Sequence, residues 1–334
     1  MKCSNYCRRI SLNSIICADF ALCFHSQAAM EVTSEPIGYV SRSAPASKLT
    51  LLSTTFFKPA VFRGELTSVQ SDVVEVSGAS WTTDAYNDTY YIEVVSSGAM
   101  ADIIDTDTSS LILADDISSM ASIGDTILIR PHVTVVDVFG ASNDFGLTAG
   151  TGLTTADSVV IFNNQTKSSE TIFYYDGSGP GDAGWYNSSF ESAADTIIYP
   201  EQGIYISRLS GSELDVTLSG EVKSNIMCTP VFNGLNILGI VSTGNVKLSD
   251  LNLVTESDST GLKSGAGSVE ADTLTILEDG SSQVYFYHDG SLGAEGWYNP
   301  SYEPADDVTI PAGASILIER GESLAAFNWI QPSQ

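Results

Sequence analysis

The sequence predicts an all-β protein: an N-terminal antiparallel barrel or sandwich domain, followed by a duplicated β-sandwich region with an internal pseudo-two-fold axis. Three observations support this fold class. Short apolar runs alternate with polar turn residues from Met30 onward, without a helical period. One long stretch occurs twice. Finally, 43% of the residues are hydrophobic, which is enough to form packed cores.

The duplicated stretch runs from Gly146 to Arg208 and again from Gly261 to Arg320. Each copy contains an apolar strand, an aromatic strand that ends in Asp-Gly, a Gly-Trp-Tyr-Asn segment and a closing strand that ends in Arg. The numbering offset falls from 115 residues at the first glycines to 112 at the closing arginines, and it changes only in turn-like segments. This behaviour is typical of two copies of one folded unit that differ in loop length. We expect the aromatic strands of the two copies to pack against each other, as the faces of a β-sandwich do.

Composition changes along the chain divide it into four segments. We predict a secretory signal over residues 1–28 and an N-terminal β domain over residues 29–140. A first β unit with additional bridging strands follows over residues 141–245, and a second β unit spans residues 246–334. The boundary at residue 141 precedes a loop rich in Gly, Thr, Ser and Asn.

The predicted signal begins with Lys2, Arg8 and Arg9, continues with a mostly apolar run to Phe24, and ends with small residues at positions 26 and 28. Two polar residues interrupt the apolar run, so a retained N-terminus is the alternative. Four of the five cysteines lie in this leader, and only Cys228 follows it, so we expect no intrachain disulfide. We expect an extracellular or cell-surface protein. No later apolar run is long enough to predict a membrane span.

The chain is strongly acidic, with a formal net charge of −27 at pH 7. Phosphate binding requires clustered Lys and Arg, so nucleic acid is not an expected partner. We favour a solvated acidic surface as the reason for this charge. The alternative is that some of the acids collect divalent cations such as Ca²⁺.

Chemistry-bearing motifs are sparse. After the leader only His132 and His288 remain, and no phosphate-binding glycine loop opens a helix, so we expect no enzyme and no organic cofactor. Four carboxylates recur at matched positions beside the Gly-Trp-Tyr-Asn segments, namely Glu191, Asp195, Glu303 and Asp307. We favour simple inheritance with the repeat for these acids. A Ca²⁺ site is the first alternative, and acid–base catalysis of glycoside hydrolysis is the second.

The repeated aromatic residues are Trp185 and Tyr186 in the first copy, with Trp297 and Tyr298 in the second. We favour core anchors, because a buried indole removes a large apolar surface from water. The alternative is an exposed platform on which a sugar ring stacks.

Several segments form a recognisable set: the start EPIGYVSRSAPASKLTLLSTTFFKPAVFRGELTSV, the segments TYYIEVVSSG and GDTILIRP, and the twin A-D…F-Y…D-G…G-W-Y motifs. As a set, they resemble an uncharacterised secreted family of paralogous proteins from verrucomicrobial-type bacteria. The resemblance implies export and a β-rich two-part layout, and it provides no catalytic residue to transfer.

Our leading functional hypothesis is a secreted, non-enzymatic structural protein that self-assembles into an extracellular fibre, appendage or surface layer. Residues 31–55 are a candidate for a strand donated to a neighbouring copy. The alternative hypothesis is an extracellular carbohydrate-binding module that uses the paired Trp and Tyr residues.

Overall fold

The computed structural model describes residues 36–209, 211–278, 280–291 and 293–332. The predicted signal, residues 1–28, lies outside the described residues. The protein is nearly all β, with 45% strand and 3% helix, which confirms the predicted fold class. The described residues form one compact body.

Twenty-five strands and one short α-helix, α1 (Val135–Phe139), account for the regular structure of the described residues, together with a 3-10 turn at Leu248–Asp250. The strands are β1 Ile37–Ala44, β2 Leu49–Ser53, β3 Phe56–Phe57, β4 Phe62–Gln70, β5 Val73–Val76, β6 Tyr90–Val94, β7 Met100–Thr106, β8 Ser110–Leu113, β9 Thr126–Pro131, β10 Val133–Thr134, β11 Ser158–Phe162, β12 Ser169–Tyr175, β13 Gly184–Asn187, β14 Ile197–Ile198, β15 Gly203–Ser207, β16 Leu214–Val222, β17 Met227–Val231, β18 Gly234–Gly239, β19 Val246–Lys247, β20 Thr273–Glu278, β21 Ser281–His288, β22 Gly296–Tyr298, β23 Thr309–Ile310, β24 Ser315–Arg320 and β25 Phe327–Gln331.

Six of these strands close into a barrel in the order β4-β5-β8-β7-β6-β9, with β9 pairing back onto β4. Alternate side chains of each strand point inward, and Ile92, Ile103 and Leu111 fill the interior with no exposure to solvent. Of the two architectures predicted for the N-terminal domain, a barrel or a sandwich, the barrel is present, and its closure leaves no free edge in these strands.

The remaining strands form two units with identical pairing, apart from the short β3, which pairs with β16. In the first unit, β1 pairs with β16, β2 with β15, β10 with β14, β11 with both β12 and β15, and β12 with β13. In the second unit, β17 pairs with β25, β18 with β24, β19 with β23, β20 with both β21 and β24, and β21 with β22. Each unit has its own hydrophobic cluster. The duplication therefore extends well beyond the stretch visible in the sequence.

The barrel is an insertion in the first unit. Strands β1 and β2 fall within the segment 29–140 that the sequence analysis gave to the N-terminal domain, yet they pair with strands of the first unit. The chain then forms the barrel strands β4–β9 and rejoins the first unit at β10. In the same way β17 and β18, which precede residue 246, belong to the second unit.

The two units meet at a seam of small residues. A Cβ at Gly203 would lie 2.7 Å from the Cβ of Ser315, and a Cβ at Gly239 would lie 2.7 Å from Ser53 Oγ. Gly203 and Ser315 occupy equivalent positions at the starts of β15 and β24, and Ser53 and Gly239 are equivalent at the ends of β2 and β18. Equivalent residues that touch each other are what an approximate two-fold axis requires.

The seam corrects one expectation. We expected the aromatic strands, β12 and β21, to pack against each other, and this is wrong. In their sheets both strands lie next to the outermost strands, β13 and β22, whereas the contact between units is made by β2 and β15 of the first unit and by β18, β20 and β24 of the second. Two sheets can approach closely only where side chains are small, and bulky aromatic strands do not permit that approach.

A buried charge network attaches the barrel to the first unit. Glu93 on β6 accepts a hydrogen bond of 2.9 Å from Arg130 Nε and contacts Lys223 Nζ, while Arg130 also contacts Glu221 on β16. Burial alone would raise the pKa of Glu93, but Lys223 and Arg130 outweigh burial and hold that pKa below its ordinary value. The carboxylate therefore stays ionised between its two cations.

Among the described residues, the structure contains no helical segment with the length and apolar character of a membrane span.

Candidate functional site

The two repeated tryptophans lie inside the units. Trp185 on β13 and Trp297 on β22 are 2% and 3% exposed. The Trp185 indole N–H donates to the Gly140 carbonyl oxygen at 2.8 Å, and its ring packs against Phe139 and Tyr174. Trp297 packs edge-on against Tyr287. Neither indole can stack on a sugar without first leaving its core.

The neighbouring tyrosines, Tyr186 and Tyr298, are half-buried and pack edge-on against Tyr175 and His288. Each segment then ends in the same turn, which an asparagine organises. Asn187 Nδ2 donates to Glu191 Oε2 at 3.0 Å, and Asn299 Nδ2 donates to Glu303 Oε2 at 2.7 Å. The repeated Gly-Trp-Tyr-Asn-x-x-x-Glu pattern thus has a local structural use.

The four carboxylates singled out for Ca²⁺ have separate surroundings. Glu191 and Glu303 are exposed and bonded to their turn asparagines. Asp307 pairs with Lys247 Nζ at 2.6 Å, whereas Asp195 is exposed and forms no ion pair within the described chain. Among the residues that the structure describes, no group of three or more His, Cys, Asp or Glu is placed to hold a metal ion.

The closing arginine of each copy forms a buried ion pair that sequence analysis had not assigned. Arg208 Nε lies 3.2 Å from Asp157 Oδ2, and Arg320 Nη1 lies 2.8 Å from Asp272 Oδ2. Each aspartate also accepts backbone N–H groups from two loops, such as Thr148 and Leu209 for Asp157. Burial alone would raise the pKa of Asp157, but these backbone and arginine hydrogen bonds lower it. The pair fastens the start of each repeat to its end.

The first unit also presents an open sheet edge. Strand β1 is the outer strand of the sheet β1-β16-β3 and pairs with a strand on one side only in the described chain. Two of its outward side chains are large and apolar: Ile37 is 80% exposed and Tyr39 is 75% exposed. Edge strands of soluble proteins usually carry charges, prolines or bulges that prevent pairing with other chains.

A cavity of about 500 Å³ lies where the barrel, the first unit and the second unit meet. Its wall includes Asp102 on β7, the turn Tyr199-Pro-Glu-Gln202 between β14 and β15, and Cys228 on β17. The turn is closed by backbone and side chain together: Gln202 N–H donates to the Tyr199 carbonyl at 3.0 Å, and Tyr199 N–H donates to Gln202 Oε1 at 3.2 Å.

Acidic and aromatic groups converge on this wall. Tyr199 Oη donates to Asp102 Oδ2 at 2.7 Å, and His132 Nε2 lies 3.2 Å from Asp102 Oδ1, although neither ring nitrogen of His132 makes a well-oriented hydrogen bond within the described part of the chain. Burial, reinforced by the charge of Asp102, raises the pKa of Glu201 to about 7. Burial and then Glu201 raise the pKa of the Cys228 thiol to about 11, so this thiol is unreactive at neutral pH.

No family model, no curated protein and no solved structure matches the chain. Function must therefore be inferred from the open edge and the cavity themselves.

Proposed function

We propose that this protein is a secreted, non-enzymatic structural protein that assembles with copies of itself into an extracellular fibre, appendage or surface layer. The observation that carries the proposal is the open edge of β1. Its backbone offers hydrogen-bonding groups on the side away from β16, and its Ile37 and Tyr39 offer apolar surface. Strand addition uses these two contributions together.

Pairing between unlike edges would make an assembly grow. If β1 of one copy pairs with β1 of another, a closed dimer results. If β1 pairs with a different edge, the contact repeats from copy to copy and produces a fibre. Strand β25 is a suitable second edge, because it pairs only with β17 in the described chain and its Ile330 is 40% exposed.

The proposal differs from the donated-strand hypothesis for residues 31–55. In the described part of that segment, β1 and β2 pair with β16 and β15 of their own chain. We therefore infer assembly by addition at an edge and not by exchange of this segment.

The carbohydrate-binding alternative through Trp185, Tyr186, Trp297 and Tyr298 has no observation in its favour, because both indoles are buried.

Negative-stain electron microscopy and sedimentation velocity of the purified protein, with and without Ca²⁺, test the proposal. We expect ordered oligomers or fibres in the wild type. The double variant Ile37→Lys/Tyr39→Lys should stay monomeric, because lysine on an edge strand opposes edge-to-edge pairing.

Val269→Lys is the matched control, because Val269 is 98% exposed but lies outside β1. It should assemble as the wild type does. Uniform monomers of the wild type under every condition would refute the proposal, and so would normal assembly of the double lysine variant.

A further inference from the structure

A buried lysine lies in the linker that joins the two units. Lys223 follows β16, the last strand of the first unit, and precedes β17, the first strand of the second. It is 3% exposed, and no other lysine of the described chain is buried. Burial lowers the pKa of Lys223, and the neighbouring Glu93 offsets this effect only in part. Lysines are activated as nucleophiles by desolvation of this kind.

A side-chain amide lies beside this amine. Asn225, two residues further along the linker, accepts a hydrogen bond of 3.2 Å from Lys223 Nζ at its Oδ1. Its Nδ2 donates to Glu93 Oε1 at 2.7 Å and to the Val95 carbonyl oxygen at 3.3 Å, so the barrel holds the amide in one orientation. The folded chain therefore brings an amine and an amide together, which removes much of the entropic cost of joining them.

One carboxylate oxygen contacts both nitrogens. Glu93 Oε1 accepts from Lys223 Nζ and from Asn225 Nδ2. It can take a proton from the attacking amine and give a proton to the departing amide nitrogen, which is the role of a general acid–base group. The other oxygen, Oε2, accepts from Arg130 Nε at 2.9 Å, and this bond keeps the carboxylate oriented.

We propose that Lys223 and Asn225 condense to form an isopeptide bond, with Glu93 transferring the protons. Glu93 first removes a proton from the Lys223 ammonium group, and the resulting amine attacks Asn225 Cγ. The new bond joins Nζ to Cγ, and the bond between Cγ and Nδ2 breaks. Protonated Glu93 gives its proton to Nδ2, which leaves as ammonia, and Glu93 then takes the second proton from Nζ. Nothing is oxidised or reduced.

The surroundings suit the products as well as the reactants. The charges of Lys223 and Glu93 disappear together, so the buried network keeps Arg130 and Glu221 as its charged pair. Ammonia has a path to solvent, because Asn225 is half-buried and the intervening Ser224 is exposed. The bond closes a small ring around Ser224 and so restricts the backbone between the two units. The reaction uses groups of a single chain, so this proposal and the proposed self-assembly can fail separately.

Peptide mapping of the purified protein, denatured and digested with trypsin, tests the bond. Trypsin cleaves after a charged lysine and not after one whose amine is acylated. We expect one peptide of residues 209–247 that is lighter than its sequence by one molecule of ammonia, in place of separate peptides of residues 209–223 and 224–247. Tandem mass spectrometry should give no fragments from single cleavages between residues 223 and 225.

Two variants test the chemistry. Lys223→Arg keeps a positive charge but removes the nucleophile, and Glu93→Gln removes the proton acceptor, so both should lose the mass deficit completely. Lys247→Arg is the matched control, because Lys247 also donates to a carboxylate, Asp307 Oδ1 at 2.6 Å, but is exposed and has no part in the triad. It should keep the full deficit. Thermal unfolding of each variant checks its fold, and the wild-type map decides the proposal even where Glu93→Gln does not fold.

Recovery of the two separate peptides at full mass from the wild type would show that no bond forms. Loss of ammonia with normal cleavage after Lys223 would also contradict the proposal, because it indicates a succinimide at Asn225. A mass deficit that persists in folded Glu93→Gln would exclude Glu93 from the proton transfer.

Discussion

The two units are built on one pairing scheme but differ in continuity. The second unit is continuous over residues 227–331, whereas the first is interrupted after β2 and β3 by a six-stranded barrel and resumes at β10. The pairs β2–β15 and β18–β24 are nevertheless equivalent in position and direction. The comparison shows that a barrel can be inserted into the connection between β3 and β10 without changing the pairing of the unit. The strands before and after the insertion still pair as their equivalents do in the second unit.

The units differ also in the turn that precedes β15 in the first unit and β24 in the second. The first unit has Tyr199-Pro-Glu-Gln202, and the second has Pro311-Ala-Gly-Ala314 at the matched place. The backbone turn is the same, because Ala314 N–H donates to the Pro311 carbonyl as Gln202 does to Tyr199. In the first unit, which also carries the barrel, the side chains of this turn line the cavity.

The largest expected effect tests whether the cores are equivalent. Trp185→Ala and Trp297→Ala should each lower the free energy of unfolding by roughly 3–5 kcal/mol, because each indole fills its own core. Urea denaturation measures both, with Val269→Ala at a 98% exposed apolar position as control. If one of the two tryptophans could be truncated at no cost, the units would not be equivalent cores.

A second pair of variants tests the buried Asp–Arg ion pair that joins the start of each repeat to its end. Asp157→Asn and Asp272→Asn should each cost about 2–3 kcal/mol, because a buried arginine loses its charged partner. We expect Asp272→Asn to cost more, since Arg320 is 1% exposed and Arg208 is 6% exposed. Denaturation curves that rank the two variants in the opposite order would contradict this comparison.

The seam allows a sharper test. Gly239→Ala should cost about 1–3 kcal/mol, because its methyl group would meet Ser53 Oγ at 2.7 Å and the Gln202 carbonyl at 3.0 Å. Adding Ser53→Gly should recover part of this loss, since it removes the nearest atom. A double-mutant cycle measures the coupling, and simple additivity of the two changes would mean that the two residues do not meet.

The pH dependence of stability distinguishes the two turns. The pKa of Glu201 is raised to about 7 in the folded protein from an ordinary 4.5, so the folded state binds more protons between those values. The contribution of this group to stability is therefore favourable at low pH and is lost as the pH rises from about 4.5 through about 7. Thermal melts across this window should show a decline that is smaller in Glu201→Gln. Identical profiles for the two proteins would disprove the shift.

The smallest effect concerns the exposed acids. Asp307 pairs with Lys247, whereas the matched Asp195 has Thr134 at the place of the lysine. Asp307→Asn should lower the melting temperature slightly at low salt and not at high salt, and Asp195→Asn should leave it unchanged at both. A salt-insensitive loss in Asp307→Asn would show that the ion pair is not the cause.

Sequence reasoning predicted the all-β class, an N-terminal barrel or sandwich, and the duplication, because alternating apolar residues and repeated motifs are local signals. It did not place β1, β2, β17 and β18 in their units. These strands pair with partners far along the chain, and the strand β2 (LTLLS) resembles its equivalent, β18 (GLNILG), too weakly to be recognised as a copy. It also did not single out α1, whose five residues are too short for a helical period.

The candidate site was missed for a related reason. Residues that recur in both copies attracted attention as functional, and in the structure these are core anchors, turn formers and ion pairs. Glu201 and Gln202 have no counterpart in the second copy, where Gly313 and Ala314 stand. The sequence did contain a signal. The turn of the first unit carries a glutamate and a glutamine, whereas the same turn of the second unit is formed without them, so the fold does not require these two side chains.

The insertion of the barrel has a consequence for biogenesis. Residues 227–331 can complete their sheets from a contiguous stretch, whereas β1 must wait for β16, a partner more than 170 residues later in the chain. Distant partners make folding slow. We therefore expect the earliest residues to remain accessible to chaperones until the ribosome has released nearly two thirds of the chain.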